Sequence, residues 1–267
     1  MPNSILTFTT ALAKEAGALL KEYFPRQGLD SHLKSDNSLV TEADLAADRL
    51  IRQAIQKEYP NDGILSEEKG TVYPNGYTQV WVIDPLDGTT NFSLGLHYWG
   101  VSIARLRNGR PETAAVYFPL VDELYTAQEG QGAFLNGEPL HIRGASLNNP
   151  NSFFACCSRT YKNYRGNLPY KTRTLGSAVY HLCAVAKGAA IVAFEATPRL
   201  WDLAGGWLIV REAGGVIQTL DEKAPFPAQE GYEYEKRGFP TLAAATPQLM
   251  KESQDQLTPK TLKEKTL

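Results

Sequence analysis

The chain has 267 residues, of which 43% are hydrophobic and 21% charged, as is typical of a globular protein with one large domain or two small ones. Its formal net charge of −2 excludes a general electrostatic attraction to nucleic acid or to anionic membranes. No apolar run approaches the ~18 residues of a membrane-spanning helix, and we see no signal peptide. The three cysteines, an odd number, argue against a disulfide framework. We therefore expect a cytoplasmic protein that binds neither nucleic acid nor membrane.

The first half of the chain is predicted to contain two helices followed by a largely antiparallel sheet. Apolar side chains at helical spacing predict a helix over 4–24 and a second helix that begins after Thr41. Thr41 and Asp44 form a pattern like a capping box at the start of this second helix. The β-branched and aromatic run over 80–83 predicts a buried strand that ends at Asp84. Further strands are predicted over 99–106, 112–118 and 123–127.

The second half alternates between predicted strands and helices. Strands are predicted over 153–157, 189–195, 216–220 and 241–245, and helices over 176–187 and 202–212. Such alternation is typical of an α/β layer. We expect a surface loop over 221–240 and a frayed tail beyond Lys251. Because no linker or repeat interrupts the pattern, we predict one domain over 1–267 with two subregions, 1–145 and 146–267.

The segment 84–92, Asp-Pro-Leu-Asp-Gly-Thr-Thr-Asn-Phe, carries the strongest chemical signal in the chain. Asp84 and Asp87 offer the hard oxygen ligands that Mg²⁺ prefers. Gly88 allows backbone conformations that other residues resist, and the residues behind it suit the start of a helix, where exposed N–H groups favour an anion. The segment therefore predicts a phosphate that is held through a metal ion.

The spacing of the two aspartates argues against another class of phosphatase. Haloacid-dehalogenase-like enzymes use an Asp-x-Asp pair at a strand end, in which the first aspartate attacks phosphorus. Here two residues, Pro85 and Leu86, separate the carboxylates, and residues i and i+3 do not share a face of a regular strand. This favours a metal site formed around a turn over an aspartyl-phosphate mechanism.

With these residues in view, the chain resembles the inositol monophosphatase superfamily of magnesium-dependent, lithium-sensitive phosphatases. Five separated motifs carry the resemblance, in matching order and spacing. They are Lys34 with 39–44 (Leu-Val-Thr-Glu-Ala-Asp), Glu67-Glu68, segment 84–92, Gly176-Ser177-Ala178, and 201–205 (Trp-Asp-Leu-Ala-Gly) with Glu195 seven residues before Asp202. The resemblance implies a mixed α/β (α+β) fold, a layered αβαβα sandwich, usually a homodimer.

The resemblance also implies a role for each matching residue. The implied metal ligands, for two to three Mg²⁺ ions, are Glu67, Asp84, the Leu86 carbonyl, Asp87 and Asp202. Glu67 and Thr89 would orient and activate the attacking water, and Asp44 would complete its proton path. The implied substrate-binding residues are Asp87, Gly88, Thr89, Thr90, Gly176, Ser177, Ala178, Glu195 and Asp202. No role is assigned to any of the four histidines.

The expected reaction is direct attack of a metal-activated water on a small phosphomonoester. The sequence Thr-Thr-Asn-Phe over 89–92 favours an inositol-phosphate type of substrate over a nucleotide 3′,5′-bisphosphate or histidinol phosphate. A basic cluster could instead hold the second phosphate of fructose 1,6-bisphosphate, although a solvated loop is the preferred interpretation; its members are Arg159, Lys162, Arg165, Lys171 and Arg173. A protein of another class, a regulatory subunit that keeps only the metal site, is a further alternative.

Overall fold

The computed structural model describes residues 4–24, 31–33, 39–142 and 152–261. Lys34 lies outside these ranges. The helices are α1 (Ile5–Tyr23), α2 (Glu42–Glu58), α3 (Thr89–Ser93), α4 (Thr160–Asn163), α5 (Ala178–Ala186), α6 (Leu200–Glu212) and α7 (Pro247–Gln256). The strands are β1 (Ser31–Leu33), β2 (Leu39–Thr41), β3 (Gly63–Ser66), β4 (Gln79–Asp87), β5 (Gly100–Arg107), β6 (Arg110–Phe118), β7 (Glu123–Gln128), β8 (Gly132–Leu135), β9 (Glu138–Leu140), β10 (Phe153–Cys156), β11 (Tyr164–Arg165), β12 (Lys171–Arg173), β13 (Ala190–Glu195), β14 (Val216–Thr219), β15 (Thr241–Ala244) and β16 (Thr258–Pro259).

Two sheets organise the molecule. The larger has seven strands in the order β3-β4-β5-β6-β7-β8-β9, in which β3 and β4 are parallel and each later pair is antiparallel. The smaller has the order β12-β10-β13-β15-β14, with β10 parallel to both of its neighbours. The predicted antiparallel sheet of the first half and the α/β layer of the second are both confirmed.

The helices complete a five-layer sandwich, as the resemblance implied. Helices α1 and α2 pack on one face of the large sheet, and α6 packs on its other face. Helix α5 contacts both α6 and the small sheet, whose far face is covered by α7. Successive side chains of β4 point to opposite faces of the large sheet. Trp81 and Ile83 pack toward α1 and α2, whereas Val80 and Val82 pack toward α5 and α6. No helix in the described ranges is long and apolar enough to cross a membrane.

Several local predictions need correction. The stretch 221–240 is not a plain surface loop, because Phe226, Tyr234 and Phe239 are buried in the central core. The chain beyond Lys251 does not fray at once: α7 continues to Gln256, and β16 then pairs with β11. Their apolar residues close the outer face of the small sheet. The assignment of 1–267 to one domain stays a prediction.

Candidate active site

A bulge in β4 brings the two aspartates of segment 84–92 to one cavity. The strand was predicted to end at Asp84, but it continues to Asp87 with a shift in register. Asp84 lies opposite Ser102 and Asp87 opposite Gly100, so three steps along β4 match two along β5. Because the bulge contains one extra residue, Asp84 and Asp87 are related as residues i and i+2 are in a regular strand, and such residues lie on the same face of the sheet. The carboxylates are thus grouped by a bulge within a strand, where the sequence suggested a turn.

Three carboxylates from different elements meet at this point. Oxygen atoms of Glu67, Asp84 and Asp202 all lie within 4.8 Å of one another. Glu67 directly follows β3, whose end is fixed because the Ser66 hydroxyl donates to Asp48 of α2 at 2.5 Å. Asp202 lies in the first turn of α6, where its Oδ2 accepts the Arg199 N–H at 2.6 Å. Three segments far apart in sequence therefore converge on one acidic cluster.

Asp84 is the fully buried member of the acidic cluster, and its environment suits a cation. Its side chain is fully buried; Oδ1 accepts the Leu86 N–H at 3.1 Å, while Oδ2 has no hydrogen-bond partner among the described residues. Burial, and then the charges of Glu67, Asp87 and Asp202, raise the pKa of Asp84 well above its ordinary value. An orphaned carboxylate oxygen among like charges is costly unless a positive charge joins it. A divalent cation therefore fits these residues.

Asp87 lines the same cavity but is not a member of the acidic cluster. Its Oδ2 accepts a hydrogen bond from the Ser177 hydroxyl, and its Oδ1 accepts the Ala178 N–H at 3.1 Å. Burial raises its pKa to about 7, despite these two donors. Ser177 and Ala178, which were expected to face substrate, therefore also anchor a predicted metal ligand. Its role as a ligand stays a prediction.

Thr89 joins the remaining predicted catalytic groups. Its hydroxyl lies 3.2 Å from Asp44 Oδ1 and 3.0 Å from the Leu86 carbonyl oxygen, both of which are acceptors. Asp44 is buried in the first turn of α2. When the hydroxyl donates to Asp44, the lone pairs of Thr89 Oγ1 are available to accept a proton from a molecule in the cavity. The arrangement can move a proton from the cavity to a buried carboxylate.

The turn predicted to bind phosphate is built on Gly88. This residue has φ +90°, and an added Cβ would lie 2.9 Å from the Tyr98 carbonyl oxygen. Thr89 and Thr90 follow as the first residues of α3, which is only five residues long. The expected contribution of a helix dipole is therefore small, because one turn aligns few peptide dipoles. Any anion here would depend on individual N–H groups and on a cation at the acidic cluster.

Asn91 links this turn to the turn before α5. Its side-chain amide donates to the Tyr98 carbonyl at 2.6 Å and to the Leu175 carbonyl at 2.7 Å. Gly176 packs so closely that an added Cβ would lie 2.4 Å from Asn91 Oδ1, and its φ is +81°. The asparagine that favoured an inositol-phosphate substrate in the sequence thus connects two halves of the cavity wall.

Replacing Gly176 by alanine is expected to disturb both turns. Gly176→Ala combines an unfavourable positive φ with a clash against Asn91, and we expect a loss of about 2–3 kcal/mol in the free energy of unfolding. The matched control is Gly214→Ala, since Gly214 has φ +89° and an added Cβ would lie more than 4 Å from the atoms of the described part of the chain. It should lose only about 1 kcal/mol, from backbone strain alone. Urea denaturation of both variants measures the difference; equal losses would contradict the proposed contact.

The cavity beside the acidic cluster has a volume of about 1060 Å³, and part of its wall was not anticipated. Of the basic cluster, Arg159 lines it, whereas Lys162, Arg165, Lys171 and Arg173 are exposed elsewhere. Arg199 and Cys157 also line it; Cys157 is half-buried, whereas Cys156 and Cys183 are buried.

One lining residue that was given no role is His181. It is buried against Glu195, which lines the same cavity and whose contact with substrate stays a prediction. A signal was available in the sequence: His181 lies four residues after Ser177, on the same face of α5.

The chain is similar to known proteins in sequence and in fold. Residues 1–257 match the family model described as the inositol monophosphatase family. The chain is 36% identical to the Nus factor SuhB of Pasteurella multocida, over 96% of this chain and 97% of that protein. It is 36% identical to the histidinol-phosphatase of Chlorobaculum parvum, over 79% and 83%.

A solved structure gives the same result for the fold. The inositol monophosphatase from Anabaena superposes with a TM-score of 0.74 at 26% identity, over 96% of this chain and 97% of that one. Sequence and architecture thus agree on the family and on the αβαβα layers. The chain belongs to the inositol monophosphatase family.

Proposed function

We propose that the protein is a Mg²⁺-dependent phosphomonoesterase that hydrolyses a small polyol or cyclitol monophosphate, with an inositol monophosphate as the favoured substrate. One observation carries the proposal: within the acidic cluster of Glu67, Asp84 and Asp202, a buried oxygen of Asp84 has no partner among the described residues, and the same cavity is lined by Thr89, which is hydrogen-bonded to Asp44. A cation-binding group and a proton acceptor in one cavity are the two elements that metal-assisted hydrolysis needs.

Each residue of the site has a separate role in the proposed reaction. Two to three Mg²⁺ ions would be held by Glu67, Asp84 and Asp202, with Asp87 and the Leu86 carbonyl as further candidate ligands. The positive charge of the ions would lower the pKa of a water molecule and neutralise charge on the phosphate. Thr89 accepts the proton of the attacking water as its own hydroxyl donates to Asp44. Glu67 orients that water. Backbone N–H groups of Gly88, Thr89 and Thr90 hold the phosphate oxygens.

The proposed activity is tested by a substrate panel. Phosphate release from inositol 1-phosphate, fructose 1,6-bisphosphate, a nucleotide 3′,5′-bisphosphate and histidinol phosphate is measured with Mg²⁺, with EDTA, and with Mg²⁺ plus Li⁺. We expect the highest kcat/KM for inositol 1-phosphate, no turnover in EDTA, and inhibition by Li⁺. Turnover that persists after complete removal of divalent cations would contradict the proposed chemistry.

The acidic residues also predict how stability depends on pH in the absence of metal. Burial raises the pKa of Asp87 and of Asp202 to about 7, from an ordinary value of 3.8. A carboxyl group with a raised pKa in the folded state favours folding when protonated, so this stabilisation is lost as pH rises through about 7. We expect the Tm of the metal-free protein to fall as the pH rises from about 4 to about 7, which is the range between the unfolded and the folded pKa.

Magnesium should reverse that loss, because it binds the ionised carboxylates. Thermal unfolding with EDTA or Mg²⁺ should show a larger rise in Tm from Mg²⁺ at about pH 8 than at about pH 5, since protons compete with the cation. Asp202→Asn, which removes one of the carboxyl groups with a raised pKa, should flatten the pH dependence of the metal-free Tm. An equal effect of Mg²⁺ at both pH values would contradict this coupling.

A second candidate substrate is a sugar bisphosphate such as fructose 1,6-bisphosphate. The observation that favours it is that Arg159 and Arg199 both line the cavity, where a guanidinium could bind a second phosphate. Arg159 also lies 3.3 Å from the Thr197 hydroxyl, at the same wall. Arg159→Gln should then lower kcat/KM for the bisphosphate by about tenfold or more, and change that for inositol 1-phosphate little.

A candidate of another class follows from a relative's name. The Pasteurella multocida protein is called a Nus factor, and not a phosphatase. This chain could likewise act as a regulatory protein that keeps the metal site without turnover. The presence of Glu67, Asp84, Asp87, Thr89 and Asp202 favours catalysis, since a chain that had abandoned it would be free to lose them. Measurable Mg²⁺ binding without turnover across the substrate panel would support the regulatory role.

We also propose that the protein forms a homodimer. Leu94, Leu96 and Tyr98 are exposed apolar residues beside the cavity, at 69%, 51% and 36% of their accessible surface. Neighbouring apolar side chains of this kind are typical of an interface. Sedimentation at micromolar concentration should give about twice the chain's mass of 29.4 kDa.

A further inference from the structure

His181 and Glu195 form a buried pair in the wall of the cavity. Their exposed fractions are 1% and 3%, and both line the cavity. His181 lies on α5 and Glu195 at the end of β13, and a hydrogen bond joins His181 Nδ1 to Glu195 Oε1. Neither residue is a member of the acidic cluster of Glu67, Asp84 and Asp202, so the pair is a further polar feature of the cavity wall.

The hydrogen-bond network assigns the proton on the imidazole ring. The Leu175 N–H donates to His181 Nε2 at 2.9 Å, so Nε2 is an acceptor and carries no proton. The ring proton then lies on Nδ1, which donates it to Glu195 Oε1. The imidazole is therefore a neutral bridge with a fixed direction, from a backbone N–H to a carboxylate.

This bridge determines which part of Glu195 faces the cavity. Among the residues that the structure describes, His181 is the hydrogen-bond partner shown for the Glu195 carboxylate, through Oε1. Oε2 has no hydrogen bond to a described residue that would turn it away, and Glu195 lines the cavity, so Oε2 is the oxygen left to face a substrate. His181 also fixes the turn before α5: it accepts the Leu175 N–H, while Asn91 donates to the Leu175 carbonyl.

We propose that His181 is a positioning residue that sets the selectivity of the site for phosphate esters of hydroxylated alcohols. It holds Glu195 so that Oε2 accepts a hydrogen bond from a hydroxyl group on the alcohol portion of the substrate. A fixed acceptor rejects an ester without that hydroxyl, because the carboxylate oxygen would be desolvated and left unpaired. This inference rests on the proposed phosphatase function and extends it to a residue outside the acidic cluster.

Two substitutions separate the two contacts of His181. In His181→Asn the side-chain amide occupies the place of Nδ1 and can still donate to Glu195. In His181→Gln the amide oxygen reaches the place of Nε2 and can still accept from Leu175, but the donor to Glu195 is lost. His141→Gln is the matched control, because His141 is exposed and does not line the cavity.

The measurement is the ratio of kcat/KM for inositol 1-phosphate to that for p-nitrophenyl phosphate, which has no hydroxyl on its alcohol portion. We expect this ratio to fall by about tenfold or more in His181→Gln and by less than about threefold in His181→Asn and His141→Gln. In a Glu195→Gln background, His181→Gln should change the ratio little further, since it acts through Glu195. Thermal unfolding of each variant establishes that it is folded.

A second readout requires neither metal nor turnover. The ¹⁵N chemical shifts of the His181 ring should show a neutral imidazole with its proton on Nδ1. A proton on Nε2, or an unchanged selectivity ratio in a folded His181→Gln enzyme, would overturn the inference while leaving the phosphatase function intact. If the wild-type protein hydrolyses neither ester, the proposed function itself fails, and the selectivity role fails with it.

Discussion

The Asp84→Asn variant is expected to lose nearly all phosphatase activity and yet to unfold at a higher temperature than the wild type when no metal is present. Asp84 is the fully buried member of the acidic cluster, so the loss of its charge weakens the binding of the cation. Metal ions supply several kcal/mol of transition-state stabilisation, and we expect kcat/KM to fall by about a thousandfold or more.

The gain in metal-free stability has a separate physical reason. Burial and neighbouring charges raise the pKa of Asp84, which means that its ionised form opposes folding. In Asp84→Asn the amide oxygen still accepts the Leu86 N–H, while the amide nitrogen can donate to Glu67 or Asp202 in place of a repelling oxygen. Charge repulsion within the cluster is thereby reduced.

Activity with saturating Mg²⁺ and thermal unfolding in EDTA provide the two measurements. Asp255→Asn is the matched control, because Asp255 is exposed on α7 and should change neither quantity. Wild-type turnover by Asp84→Asn would refute its role as a ligand. A fall in the metal-free Tm at about pH 8 would show instead that the carboxylate stabilises the fold.

Thr89→Ala is expected to lower kcat by about a hundredfold or more and to leave KM within about threefold of the wild-type value. The substitution removes the hydroxyl that lies between the cavity and Asp44, so that the proton of the attacking water has no acceptor leading to the buried carboxylate. Since the hydroxyl acts on the water and not on the alcohol portion of the substrate, ground-state binding should change little.

Thr89→Ser is the matched control for this prediction. Serine keeps the hydroxyl that contacts Asp44 and Leu86 and removes only the methyl group, so we expect kcat within about tenfold of the wild-type value. Steady-state kinetics with inositol 1-phosphate and Mg²⁺ compares the three proteins. If alanine and serine variants were equally impaired, the methyl group would be the important part of Thr89, and the proton path through Asp44 would be wrong.

The sequence by itself determined the family and most of the fold. Hydrophobic periodicity is local, so it located α1, α2, α5, α6 and the central strands to within a few residues. Order and spacing of five motifs, from segment 39–44 to 201–205, led to the inositol monophosphatase family, to which the chain belongs. The prediction was least accurate near the C-terminus, where α7 and β16 contain polar residues. The packing of α7 and the pairing of β16 with β11 are long-range contacts that have no signal in the local sequence.

Only the tertiary structure shows which of the functional residues contact one another. From the sequence, Asp84 and Asp87 were both predicted metal ligands beside a turn. A bulge in β4 and the position of α5 separate them: Asp84 joins Glu67 and Asp202, whereas Asp87 accepts hydrogen bonds from Ser177 and Ala178. Bulges depend on the pairing of neighbouring strands, which no periodicity along one strand reveals.

The role of His181 was likewise decided only in three dimensions. A histidine on an apolar helix has many possible environments, and the residues around His181 in the sequence do not indicate which carboxylate it contacts. The contact with Glu195 exists because α5 packs against β13, which brings together residues 14 positions apart. Local patterns determined which chemistry the cavity can hold, and long-range packing determined which atoms are left to face a substrate.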